Sequence, residues 1–241
     1  MTDVTTSAEE HQAPSAGLVT RLIGVIFSPR DAYTAVANRP RALGAMVVAA
    51  VLIAGIQGIF FSTQVGKDAY VTQALNTMKA VGVTVTDQMV QTIEAQAPTA
   101  AIRQTVSVAI FMPLLAAMVA GLLLAVFTAV LGGGASYKQV FAVVAHSMII
   151  SALAQAFSFP IMYFQGEMTS PTRLSVFFPM LPEQGFFTYL LSALDLFYFW
   201  WLFNMAIGVA VLYKRRTGPV ASLLLGIYAV IAVIIAAVRA F

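Results

Sequence analysis

Asp195 is the residue whose setting most invites chemistry. It is the only formal charge well inside an apolar run, LLSALDLFYFWWLFNMAIGVAVLYKRR from residue 190 to 216. An acid at membrane depth is costly enough to count as a candidate for a binding site or a proton path. Its competing role is structural, as a hydrogen-bonding partner for a neighbouring helix. At about 100° per residue Asp195 shares a helix face with Tyr198, Phe199 and Leu202, whereas Asn204 points about 180° away. The helix that carries both is therefore expected to have neighbours on two sides. His146 is the other candidate. It lies in the cytoplasmic half of its predicted span and Asp195 in the outer half of another, at depths about 8 Å apart for a rise of about 1.5 Å per residue. Direct contact is not required, and a neutral histidine bonded to a backbone or serine group is the simpler reading. One His and one Asp do not make a metal site, which needs more ligands.

Other chemistries are excluded by what the chain lacks. There is no cysteine, hence no thiolate nucleophile, disulfide or Cys-based zinc or iron-sulfur site. The run Gly132-Gly133-Gly134 precedes Lys138 without the Gly-Lys pair of a phosphate-cradling loop, so it reads as a tight interhelical turn. Intramembrane aspartyl proteolysis needs two membrane acids, and the spans offer one. Neither H-E-x-x-H nor G-x-S-x-G occurs. No enzyme activity and no cofactor are expected. Trp200 and Trp201 are too central for an interfacial belt and read as packing residues.

The elements that must position these residues are set by composition. Sixty per cent of the 241 residues are hydrophobic and 10% charged, against about 25% charged in a soluble domain. With a mean hydropathy of +0.86, this is an integral membrane protein. A net charge of +3 is too small an excess to suggest nucleic acid as a partner; the lipid bilayer is the partner implied. Residues 1–16 are polar and read as a flexible cytoplasmic tail. Over residues 17–41, apolar positions recur at helical spacing but over too short a length to span, which predicts interfacial helices. Within them Ser28-Pro29-Arg30-Asp31 reads as a helix start with a capping box.

Residues 42–241 divide into five predicted crossings: Ala42–Phe61, Val106–Leu131, Val140–Phe164, Phe186–Tyr213 and Val220–Val238. The fourth is about 28 residues long, more than the roughly 20 that a hydrocarbon core of about 30 Å requires, so tilt or overhang is expected. Between the first and second lies a polar connection predicted to form two amphipathic helices broken around Gly82 and Thr86. The proline-bearing connection Gln165–Gly185 is expected to dip into the outer interface. Ser147, Ser151 and Ser158 share a face of the third crossing, with Gln155 at its margin, as interhelical glue. On the second crossing Ala117, Gly121, Ala125 and Ala129 form a four-residue ladder of small side chains, expected to pack against Ala50, Ala54 and Gly58 of the first. On that reading Gly121→Leu is disruptive, and Leu123→Ala, on another face, is less so.

Three stretches carry a family resemblance: GLVTRLIGVIFSPRDAY from residue 17, GGGASYKQVFAVVAHS from 132 and LDLFYFWWLFNMAIGVAV from 194. Together they resemble the Yip family, multi-pass proteins named for interaction with Ypt and Rab GTPases, and its prokaryotic branch in particular. The resemblance runs from about Gly17 to the C-terminus and implies an all-α bundle of five membrane helices with a cytoplasmic N-terminus. Eukaryotic members are trafficking factors of Golgi and endoplasmic reticulum membranes. The short tail here lacks their long cytoplasmic region, which leaves GTPase binding doubtful. No catalytic residues carry over. Two functions are therefore expected to compete: a non-catalytic organiser or adaptor that contacts other membrane proteins or a second copy, and a small-solute or proton transporter using Asp195. A bacterial cytoplasmic membrane is the expected location, or Golgi and endoplasmic reticulum for a eukaryotic chain.

Five crossings place the termini on opposite sides. With the N-terminus inside, eight of the 13 Lys and Arg residues fall on the cytoplasmic side, led by Lys214, Arg215 and Arg216, as the positive-inside bias requires. A topology reporter fused at Met1 is expected to read cytoplasmic and one fused after Phe241 extracytoplasmic; both on one side would remove the five-helix topology.

Overall fold

The computed structural model describes residues 17–80, 82–182 and 184–240, so the expected tail, residues 1–16, lies outside them. The chain opens with α1 (Leu18–Phe27) and α2 (Pro29–Asn38). Arg21, Leu22 and Val25 are buried on α1, and Ala32, Tyr33 and Val36 on α2, the three- and four-residue steps of a one-sided helix. The two helices cross closely at Gly24, where a Cβ would sit 3.0 Å from that of Ala32. Ser28 and Pro29 do begin α2, but the Ser28 side chain makes no cap bond, so the expected capping box with Asp31 is absent. The box forms instead at Ser136, which receives the Gln139 backbone N–H while the Gln139 side chain accepts from the Ser136 N–H.

Then follow α3 (Leu43–Ser62), α4 (Gln64–Ala80), α5 (Asp87–Gln96), a 3₁₀ turn at Ala97–Thr99, α6 (Ala100–Leu131) and α7 (Tyr137–Gln165). After a 3₁₀ turn at Leu174–Phe177 come α8 (Phe186–Ala193), α9 (Leu196–Leu212) and α10 (Thr217–Ala240). Four of these, α3, α6, α7 and α10, lie in stretches long and apolar enough to cross a membrane. They leave large apolar side chains such as Val51, Leu114, Leu122 and Val238 exposed, a surface suited to lipid.

The core is organised around α7. In its most apolar window 61% of residues are buried, against 28% for each of the other three long helices. From Ala142 to Ile150 every residue is buried, the mark of a helix surrounded on all sides, and α1, α2, α3, α6 and α9 all pack against it. A smaller cluster at the other end joins Phe60 and Phe61 to Phe159 and Met162, with the Phe60 and Phe159 rings stacked 4.8 Å apart. There Arg103 binds Gln96, Thr99 and the Tyr70 hydroxyl, fastening α4 to the start of α6.

The small-residue ladder is not the packing face. Ala125 and Ala129 are exposed, Ala117 and Gly121 only half-buried, and a Cβ on Gly121 would meet no atom within 4 Å. What α6 buries is Met112, Ala116, Ala120, Leu123 and Phe127. The reason is angular. Three steps of four residues wind about 120° around a helix, whereas mixing steps of four and three holds one side. Leu123, expected off the contact, belongs to the core.

The predicted fourth crossing is also not one helix. It divides at Leu194-Asp195, both in extended conformation, leaving α9 with 17 residues. Its far end closes with Lys214 in the left-handed region (φ +51°), which lets the Arg215 N–H reach the Ala210 carbonyl at 2.9 Å. In mid-helix, Gly208 permits the close approach of α9 to α7 and α2: a Cβ there would fall 2.4 Å from Val143 Cγ1 and 3.1 Å from the Tyr33 ring. We expect Gly208→Ala to cost about 1–3 kcal/mol by overpacking and Leu123→Ala about 2 kcal/mol or more by leaving a cavity. Gly121→Leu should melt like the parent in detergent, and a clear loss of melting temperature there would restore the ladder.

Candidate functional site

Asp195 sits at the break rather than inside a helix. As N-cap of α9 its Oδ1 accepts the Phe197 backbone N–H at 2.9 Å, while Oδ2 accepts the hydroxyls of Ser170 and Thr172, each at 2.8 Å. It is 8% exposed. Those hydroxyls come from the connection between α7 and α8, which folds back so that Arg173 and Asp195 form an antiparallel bridge. The bridge is closed by the Leu174 N–H on the Leu194 carbonyl (2.9 Å) and the Leu196 N–H on the Thr172 carbonyl (3.1 Å). Because the ladder bonds flank the pair, Arg173 and Asp195 are the close, non-hydrogen-bonded type of opposite residues, with side chains on the same side.

Breaking a helix in apolar surroundings frees backbone groups that water cannot satisfy. Here the N–H groups from Leu194 to Phe197 and the Ala193 and Leu194 carbonyls find partners, and α10 supplies two of them: the Tyr228 hydroxyl donates to the Ala193 carbonyl at 2.8 Å and accepts the Asp195 N–H at 3.1 Å. The break opens one side of a cavity of about 210 Å³. Its other wall is the serine face of α7, with Ser151, Gln155 and Ser158. Ser147, one turn deeper, is used differently: it accepts the Trp201 indole N–H at 2.9 Å and donates to the Val144 carbonyl. The interhelical bond expected of that face is thus made at Ser147.

Asn204 serves the opposite side of α9. It is 2% exposed, accepts the Tyr33 hydroxyl and donates to the Val25 carbonyl at 2.6 Å, so one amide ties α9 to both α1 and α2. Burial pushes the Tyr33 phenol far above its ordinary range, leaving it a neutral donor. On the same hairpin, burial and then the positive charge of Arg41 lower the Arg21 guanidinium, whose Nε is buried without a partner among the described residues.

His146 is fully buried. Its Nδ1 lies 2.8 Å from the Ala142 carbonyl, which only accepts, so Nδ1 carries the proton and Nε2 is an acceptor without a partner among the described residues. His146 and Asp195 share no partner, and the three candidates occupy three separate places. Among the described residues no three His, Cys, Asp or Glu side chains converge as metal ligands.

A helix broken at a capped acid, with a buried α1–α2 hairpin against the other end of α9, is the architecture to compare with known proteins. A family model described as the Yip1 domain matches residues 23–239. The chain belongs to the Yip1 domain family. No curated protein and no solved structure matches it significantly. The Yip1 match takes in all three candidates as well as Ser170, Thr172 and Tyr228. It also encloses the hairpin residues Val25 and Tyr33, so both ends of α9 are braced from within the Yip1 domain.

The sequence held a signal for the break that periodicity overlooks. Asp is a favoured N-cap residue, and Asp195 divides a run too long for one crossing into a short piece and a nearly membrane-length piece. The hydroxyl partners, 23 and 25 residues away, have no such signal. If the carboxylate acts mainly as cap and anchor, Asp195→Ala should cost about 1 kcal/mol for the cap and about 1–3 kcal/mol more for unpaired buried hydroxyls. Asp195→Asn should retain most of the parent melting temperature in detergent. Equal melting of the two variants would show that the cap bond contributes nothing.

Proposed function

We propose that this Yip1-domain protein is a non-catalytic membrane organiser or adaptor, acting by contact with other membrane proteins or with a second copy of itself. The observation that supports this is the state of Asp195. The single acid in the apolar run of α8 and α9 receives three hydrogen bonds that hold it in place, tying the start of α9 to the connection that precedes α8. An acid committed in this way suits a scaffold better than a proton relay. The other two candidates have no reacting partner: Asn204 braces a hairpin and His146 bonds its own helix.

In this reading α3, α6, α7, α10 and the pair α8–α9 make five crossings. The α9 rod is about 26 Å long at about 1.5 Å per residue, and α8 completes the passage after the break. The α1–α2 hairpin lies at the cytoplasmic interface and the C-terminus outside, in a bacterial cytoplasmic membrane. Rab-type GTPase binding forms no part of it.

The competing reading, transport of a small solute or proton, rests on the cavity beside Asp195. Purified protein in proteoliposomes is expected to give no flux above protein-free vesicles across a panel of ions, protons and small solutes. A specific flux abolished by Asp195→Asn would overturn the adaptor reading. Crosslinking in the native membrane is expected to recover reproducible membrane-protein neighbours or a second copy.

A further inference from the structure

The cavity at the helix break holds more polar groups than the fold uses. Ser158 is 7% exposed, yet its hydroxyl has no hydrogen-bond partner among the described residues, and it lines the cavity. Ser151 and Gln155 beside it are likewise unpartnered there. Opposite them the half-buried Arg173 side chain enters the cavity, and its guanidinium makes no hydrogen bond or ion pair among the described residues. Asp195 closes the same wall. Its carboxylate has about four lone-pair sites, and three are filled. The two side chains thus project from the same side of the bridge with no ion pair between them among the described residues. A cavity with one unpaired cation, one open acceptor position on an anion and free neutral donors matches a ligand that carries both charges.

Depth and surroundings indicate where such a ligand comes from. The 17 residues of α9 place Asp195 about 26 Å from the basic triplet at about 1.5 Å per residue, close to the far boundary of a hydrocarbon core of about 30 Å. That is the level where lipid phosphates begin and to which an arginine extends its head. The cavity is rimmed by apolar surface: Tyr198, 55% exposed, lines it, and exposed Phe157 packs on Phe197 of its wall at 5.8 Å. Its volume of about 210 Å³ leaves room for several waters, the scale of a small headgroup.

We propose that the cavity between Asp195, Arg173 and the serine face of α7 binds the headgroup of an ethanolamine phospholipid from the far leaflet, with its phosphate on Arg173 and its primary ammonium on Asp195. Arginine suits the phosphate because its fork of donors matches two oxygens at once. The ammonium supplies the N–H that the remaining carboxylate site accepts, which a quaternary choline cannot do. Ser158 and Gln155 are left to hydrate or bond the phosphate ester. The inference rests on α9 crossing the membrane, as proposed above, and is independent of the adaptor role.

The test uses full-length protein, delipidated in detergent and titrated with dioleoyl phosphatidylethanolamine, phosphatidylcholine or phosphatidylglycerol, with occupancy read by native mass spectrometry. The ethanolamine lipid is expected to bind about tenfold more tightly than the choline lipid, the worth of one charge-assisted hydrogen bond. Arg173→Gln should weaken it by about tenfold or more, while Arg173→Lys, which keeps the charge, should retain most of the binding. Asp195→Asn, still a competent N-cap, should erase the ethanolamine-over-choline preference without abolishing lipid binding. That change in ratio is one a purely structural Asp195 would not produce. Equal affinity for the three lipids, a preference for phosphatidylglycerol, or unchanged binding by Arg173→Gln would each overturn the proposal. So would free phosphoethanolamine binding as tightly as the lipid, since the site would then belong to a soluble zwitterion. The isolated protein contains no partner, so crosslinking and flux results stand apart from this one, and whether α9 crosses is tested separately by the reporter fusions at the two termini.

Discussion

A backbone amide in an apolar medium must find a partner, and the break between α8 and α9 is where this constraint bears hardest. An unbroken helix satisfies its own groups, whereas a helix interrupted at Leu194-Asp195 hands them to its neighbours. The Asp195 side chain takes one, the folded-back connection takes two, and Tyr228 takes two more through a single hydroxyl. The segment around Thr172, the start of α9 and the middle of α10 are thereby fixed as one unit. None can shift without exposing a donor or acceptor whose loss costs about 1–3 kcal/mol.

At the other end of α9 the same residue economy appears in different form. Gly208 lets α9 close on Val143 and on the Tyr33 ring, and that closeness puts the Tyr33 hydroxyl within reach of Asn204. The α1–α2 hairpin is therefore part of the bundle and covers α7 and α9 at their near ends. With α3 and α6 on its other flank, α7 is enclosed, which is why its buried residues run consecutively and ignore helical periodicity. Close packing through Ala116, Ala120 and Gly208 stands in for the hydrophobic drive that lipid cannot supply between helices.

These two arrangements separate the roles of the polar residues. Asn204 is consumed by structure: both ends of its amide are bonded to backbone or phenol from the hairpin. Asp195 is bonded on one side and open on the other, because a cap uses only part of a carboxylate. The fold requirement thus brings an acid, an unpaired arginine and free hydroxyls into one small cavity. A structural acid and a recognition site are compatible at Asp195.

By itself the sequence determined the membrane character, the places of the long apolar helices α3, α6, α7 and α10 and the family, because these rest on composition, apolar run length and local motifs. The ends of α2, α3 and α5 follow from Pro29 and Thr86 and from the lengths of apolar runs, all signals carried within a few residues. Tertiary structure decided the rest. Whether the run from residue 186 to 213 continues through Leu194 depends on whether a distant chain can supply hydroxyls and amides at that depth, and Ser170, Thr172 and Tyr228 do so from 23 to 33 residues away. Which small residues of α6 meet a neighbour depends on the rotation of the helix about its axis, which four-residue spacing alone does not set. Both are properties of pairs of helices, and a pattern read along one strand of sequence carries no term for the partner.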